Sequence, residues 1–111
     1  MAAEFLQVMT TVESEADAER LAGALVGERL AACVQVVGPI RSTYRWQGAV
    51  ERATEWLCLA KTTATACDAL MARIGELHAY DTPELTAVPI ERGSDAYLGW
   101  IGAETRSHPE G

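Results

Sequence analysis

Lysine is almost absent from this chain. Lys61 is the only one, and the nine basic residues face sixteen acidic ones, for a formal charge of −7. That balance repels a nucleic-acid backbone at long range and argues against general nucleic-acid binding. Long apolar runs are missing too. A bilayer span needs ~20 consecutive apolar residues, and no stretch qualifies, so no membrane partner is expected. The opening MAAEFLQVMTTV has neither a basic n-region nor a cleavage pattern, so a cytoplasmic location is expected. Cysteine occurs three times, at Cys33, Cys58 and Cys67, an odd count with no CxxC spacing. A disulfide framework is therefore not expected, and a reducing compartment fits. All three read as buried thiols, two in apolar strand patterns and one early in a helix.

The signatures of common catalytic machinery are missing as well. There is no GxSxG elbow, no papain-like cysteine context, no P-loop and no dinucleotide fingerprint. No internal repeat, linker or low-complexity segment interrupts the 111 residues, which suit one domain with one core.

What is present is a clear alternation of periods. Residues 5–12 read as a strand. Ser14-Glu15-Ala16-Asp17 resembles a capping box, with Asp in place of Glu or Gln. A helix over about 15–28 follows, its stripe formed by Ala18, Leu21, Ala22, Leu25 and Val26. The next strand is expected from Leu30, broken at Gly38-Pro39 by a bulge or bend, and ending near Trp46. Gln47-Gly48 supplies a turn, and a third strand runs over about 50–62. Thr65-Ala66-Cys67-Asp68 is read as a second capping box, opening a helix to about His78. A fourth strand over 85–90 contains Pro89, which points to an edge. Ser94 or Asp95 caps a last helix bearing Tyr97, Leu98, Trp100 and Ile101. The tail SHPEG, which holds His108, lacks core residues and is expected to fray. The order βαββαβ predicts an α+β, ferredoxin-like sandwich with a long hairpin between the second and third strands and an extra C-terminal helix.

That hairpin, residues 30–61, is the feature with most consequence for function. Mean strands are ~5–6 residues, and each arm here is about twice that. A ribbon so long overruns the body of a small domain. Its outer half carries Tyr44 and Trp46 at alternate positions, hence on one face, with backbone edges that need a partner. An oligomer is expected.

Several short motifs now fall into sequence. They are Glu28-Arg29-Leu30-Ala31-Ala32-Cys33-Val34, Tyr44-x-Trp46-x-Gly48, Lys61-Thr62, His78-x-Tyr80-Asp81 with Pro83-Glu84-Leu85, Pro89-Ile90, and Gly93 with Tyr97-Leu98-x-Trp100. Each alone is weak; the ordered set spans nearly the whole chain and resembles CutA, the divalent-cation tolerance family. The resemblance implies one CutA-like domain over residues 1–111, and a homotrimer related in architecture to the PII signalling proteins. Hairpins would pack across subunit boundaries. It also implies tolerance of divalent metals, with copper binding in some members, and no established enzymatic reaction. This chain departs from the pattern at His78-Ala79-Tyr80-Asp81, where the family usually has His-Pro-Tyr-Glu or His-Pro-Tyr-Gln. It has Met9-Thr10 where some members place a cysteine, and Leu77 where some place a second histidine. Those positions would supply soft or imidazole ligands for copper.

On this reading an intersubunit cleft draws on Cys33, Tyr44, Trp46, Lys61, His78, Tyr80, Asp81 and Glu84, and His78 is the candidate metal ligand. Plainer roles compete. His78 can cap the second helix and bond a backbone carbonyl or Tyr80. Tyr44 and Trp46 can be packing anchors. Lys61 can snorkel, or pair with Asp81 or Glu84. No catalytic residue is expected and no cofactor is required; a divalent metal ion such as copper, or a small ligand, is the expected partner besides the chain itself. Two alternatives remain: a scaffold trimer without ligand, and an acylphosphatase-like hydrolase. The last would need a phosphate cradle after the first strand, where Val12-Glu13-Ser14-Glu15 is acidic and glycine-free.

Overall fold

Leu6, Val8, Thr10 and Val12 alternate along the first strand, β1 (Phe5–Val12), and turn the same way. The computed structural model describes residues 4–105, so the tail with His108 lies outside the described residues. After β1 come α1 (Glu15–Gly27), β2 (Cys33–Trp46), β3 (Ala49–Thr63), α2 (Ala64–Leu77), β4 (Thr86–Pro89) and α3 (Asp95–Glu104). The result is an α+β fold of three helices and a four-stranded sheet in the order β2-β3-β1-β4, every pairing antiparallel. Pro89 falls on an edge strand, where its missing N–H costs no ladder bond. Among the described residues, no helix is long and apolar enough to cross a membrane.

One sheet face makes the core. Val8 and Val12 of β1 and Cys58 and Ala60 of β3 meet Ala18, Leu21 and Leu25 of α1 and Cys67, Leu70 and Ile74 of α2. Full burial of a Leu or Ile is worth roughly 1.5–3 kcal/mol, so this cluster is the main source of cohesion. Ser14 begins α1 by accepting the Asp17 N–H at 3.0 Å, as expected of its box. The start of α2 differs from expectation. Thr63, not Thr65, is the N-cap, taking the Ala66 N–H at 3.2 Å. A β-branched strand-former thus ends β3 and caps α2 at once.

The segment expected to open the second strand is instead the exit of α1. Arg29 adopts a left-handed backbone, φ 61°. The Leu30 N–H reaches back to the Leu25 carbonyl at 3.0 Å and the Arg29 N–H to that of Val26 at 3.0 Å. This pattern satisfies the last turn of the helix and buries Leu30 against Leu25. The Arg29 guanidinium then donates to the carbonyls of Ala103 and Glu104, tying down the end of α3. The run Leu30-Ala31-Ala32 is apolar because it is buried here, and β2 begins only at Cys33.

The opposite face is only partly covered. Gly102 of α3 lies against the Phe5 ring, where an added Cβ would stand 3.9 Å away. Beyond the last β1–β3 pair, Val12 with Trp56, β2 and β3 continue alone for seven pairs, from Ile40–Glu55 to Trp46–Ala49. At ~3.4 Å per residue that is roughly 20 Å of free ribbon, in a molecule 43 Å long and 24 Å across its shortest axis. Gln47 and Gly48 close it with positive φ at both positions, 50° and 84°, the turn whose twist suits a hairpin. The expected irregularity is a bulge in which Gly38 and Pro39 oppose Trp56 alone. Gly38 lies on the indole, where a Cβ would come within 2.3 Å of Cδ1.

Candidate functional site

The bulge decides what faces where. Cys33, Gln35 and Val37 share the open sheet face with Leu57, Leu59 and Lys61. After it, Ile40, Ser42, Tyr44 and Trp46 join that face, with Ala49, Glu51, Ala53 and Glu55 opposite them. One continuous surface therefore runs from Lys61 at the body to Trp46 at the tip.

His78 closes α2 at the root of the ribbon. Its Nε2 lies 2.8 Å from the Thr11 carbonyl oxygen, and its Nδ1 accepts the Tyr80 N–H at 3.1 Å. A carbonyl only accepts and an amide N–H only donates, so in this arrangement Nε2 is the donor of the ring and Nδ1 its acceptor. Tyr80 packs beside it, ring centroids 4.8 Å apart. Its hydroxyl donates to Oε2 of Glu55 at 2.9 Å. Burial, then the hydrogen bond and charge of Glu55, push the Tyr80 phenol above its ordinary value, with smaller contributions from Glu13 and Tyr44. Tyr80 therefore remains a proton donor to the carboxylate. These bonds pin the loop after α2 to β1 on one side and to the ribbon root on the other.

Glu55, 8% exposed, escaped the sequence reading. The signal was there: Glu55, Leu57, Leu59 and Lys61 alternate on one face, so a carboxylate heads an otherwise half-buried row. The cavity beside His78 and Tyr80, lined also by Val12, Glu13, Asp17, Arg20, Leu21, Leu77 and Ala79, measures about 20 Å³. That is room for one water, far below the ~300 Å³ or more of a metabolite pocket. Arg20 bonds Asp17 at 2.6 Å beside it, and this bond, with that from Ser14, holds the Asp17 carboxyl below its ordinary value.

The other expected residues lie elsewhere. Lys61 donates to Oε1 of Gln35 at 2.5 Å and stands opposite Cys33; it pairs with neither Asp81 nor Glu84, which are exposed. Six residues of strand separate Lys61 from Glu55, roughly 20 Å, and Trp46 is about as far beyond. Cys33 is half-buried beside Tyr97, whereas Cys58 and Cys67 are buried as expected; burial pushes the Cys58 thiol up to about 11. Among the described residues, no three His, Cys, Asp or Glu side chains gather as a metal site. With both His78 nitrogens engaged, the described residues of one chain do not fit a resident metal.

The family model for the CutA1 divalent ion tolerance protein matches residues 6–104. The chain is 48% identical to the divalent-cation tolerance protein CutA of Thermus thermophilus, over 88% of this chain and 95% of that one. It is 41% identical to the chloroplastic protein CutA 1 of Oryza sativa over 89% of this chain, and spans about half that protein's length, 56%. The crystal structure of CutA from Xylella fastidiosa superposes with a TM-score of 0.91 at 38% identity, covering 94% of this chain and all of that one, 100%. An ordered motif set, a ribbon that outruns its own body and these likenesses lead to one conclusion: the chain belongs to the CutA1 divalent ion tolerance family.

Proposed function

We propose that this protein is a non-enzymatic homotrimer of the cytoplasm, a PII-like assembly of ferredoxin-like sandwiches, that holds a divalent cation or small ligand weakly in clefts between subunits. The observation that carries the proposal is the ribbon's open face, where Tyr44 is 44%, Trp46 52% and Val37 46% exposed. Exposed aromatics in line with half-buried Leu57 and Leu59 make a surface that another copy can cover. Trimer packing would bring a neighbour's side chains to Lys61, Tyr44, Trp46, Tyr80 and the exposed carboxylates of Asp81 and Glu84. The metal is then a ligand shared between copies. His78 would join it only by giving up one of its two present bonds.

Sedimentation tests the assembly. A species of three chain masses is expected, and a stable folded monomer would overturn the proposal. Trp46→Ala should loosen the trimer, because deleting a buried tryptophan costs about 3–5 kcal/mol. His78→Ala should leave assembly intact and weaken copper binding in calorimetric titration.

A second reading, a scaffold trimer without ligand, is favoured by one observation: the cavity beside His78 has room for a single water. Titration with copper, zinc and nucleotides separates the two. Complete silence from an intact trimer would select the scaffold. Acyl-phosphate hydrolysis is not expected, since the β1–α1 connection presents Glu13 and Glu15 where a phosphate would need a cradle.

A further inference from the structure

The reverse face of the free ribbon has a different chemistry. Arg41, Thr43 and Arg45 of β2 share it with Val50, Arg52 and Thr54 of β3. All six are exposed, and no carboxylate lies among them, because both acids of the ribbon project from the aromatic side. Arg52 stands opposite Thr43, so it is a diagonal neighbour of both Arg41 and Arg45, roughly 7–8 Å from each. Among the described residues, none of these arginines enters an ion pair. Three of nine basic residues thus gather on one rigid surface of a chain with net charge −7.

We propose that this arginine face docks an extended acidic segment of a partner protein. Charge complementarity supplies the attraction, and guanidinium groups engage carboxylates two bonds at a time. None of the six residues lines the cavity beside His78 or the wider cleft bordered by Val26, Arg29 and Trp100, and one face of a two-stranded ribbon offers no enclosure for a small molecule. A second strand-like chain fits better. Its same-face side chains repeat every two residues, the pleat on which Arg41, Thr43 and Arg45 are set. A polyelectrolyte such as RNA meets the long-range repulsion of the whole chain, whereas a short segment with a few carboxylates meets little of it. The inference needs only that the ribbon projects, and covering the aromatic face by another copy leaves the arginines outward.

The test uses the full chain and a dye-labelled dodecapeptide of alternating Glu and Thr, read by fluorescence anisotropy. Saturable binding is expected at about 50 mM salt, weakened about fivefold at about 300 mM. R41Q/R45Q should weaken it about fivefold or more, and R73Q/R92Q, which removes as much charge from the body, by less than about twofold. Circular dichroism and sedimentation must match for both variants; should R41Q/R45Q misfold, R52Q carries the same comparison. Equal losses in the two doubles would overturn the proposal, as would absence of saturable binding. It would also fall if tripolyphosphate or phosphatidylserine vesicles bound this face more tightly than the peptide. A salt-sensitive gain in mass without peptide, lost in R41Q/R45Q, would assign the face to a second copy instead. A trimer indifferent to the peptide would sink this inference and leave the assembly proposal standing.

Discussion

The inner and outer halves of the β2–β3 hairpin are made by the same two strands and live under different conditions. In the inner half, Cys58 and Ala60 are each 2% exposed and rest on both helices. In the outer half, all of residues 43–52 are exposed. Backbone pairing is equally regular in both. Ladder bonds thus fix the shape of a ribbon, while side-chain burial decides who must stabilise it. The inner half is held by its own chain; the outer half has only its twist, its turn and whatever covers it.

The largest test of that contrast is in the core. Leu70→Ala should destabilise the fold by about 2–5 kcal/mol in urea unfolding, since Leu70 is fully buried. A loss under ~1 kcal/mol would mean that the inner half is not held by packing. The junction comes next. Gly38→Ala forces a Cβ within 2.3 Å of Trp56, and should cost about 1–3 kcal/mol by overpacking. Hydrogen exchange should speed up first in the outer rungs; uniform acceleration would deny the division into halves. Tyr80→Phe leaves Glu55 without its donor and should cost about 1.5 kcal/mol, again read by urea unfolding. The smallest effect concerns the rim of the body. Asp17 is held below its ordinary value of 3.8 first by Arg20, so its contribution is complete above that value and disappears as pH falls through the lowered one. Asp17→Asn should therefore match the wild type in acid and fall slightly behind it above about pH 4. A gap that widened as the pH dropped would reverse the sign of this argument.

Much of the framework was legible because local chemistry and tertiary context agree there. The bounds of β1, the Ser14 cap, the Gln47-Gly48 turn and the irregularity at Gly38-Pro39 follow from alternation, side-chain oxygens, positive φ and proline. Residues 30–32 misled because an apolar run reads as strand whether it pairs with a neighbour or tucks under a helix end. Thr65 reads as the cap in the sequence because a threonine that ends a strand, as Thr63 does, carries no local mark of its second role. The site was harder. Sequence order brings His78 and Tyr80 together, and His78 does bond a backbone carbonyl and the Tyr80 N–H. Their link to Glu55, 25 residues away, depends on where the ribbon root passes. That Lys61 bonds Gln35 across the strands depends on the register of β2 and β3, which sequence order alone does not give.

The bulge at Gly38 and Pro39 has a further corollary. Since two residues there stand against one, losing either restores an even ladder in which every later rung keeps its mate. A one-residue deletion at that spot therefore leaves the aromatic side facing as before. A one-residue slip that the bulge does not absorb would instead exchange the arginine and tryptophan sides of the remaining strand.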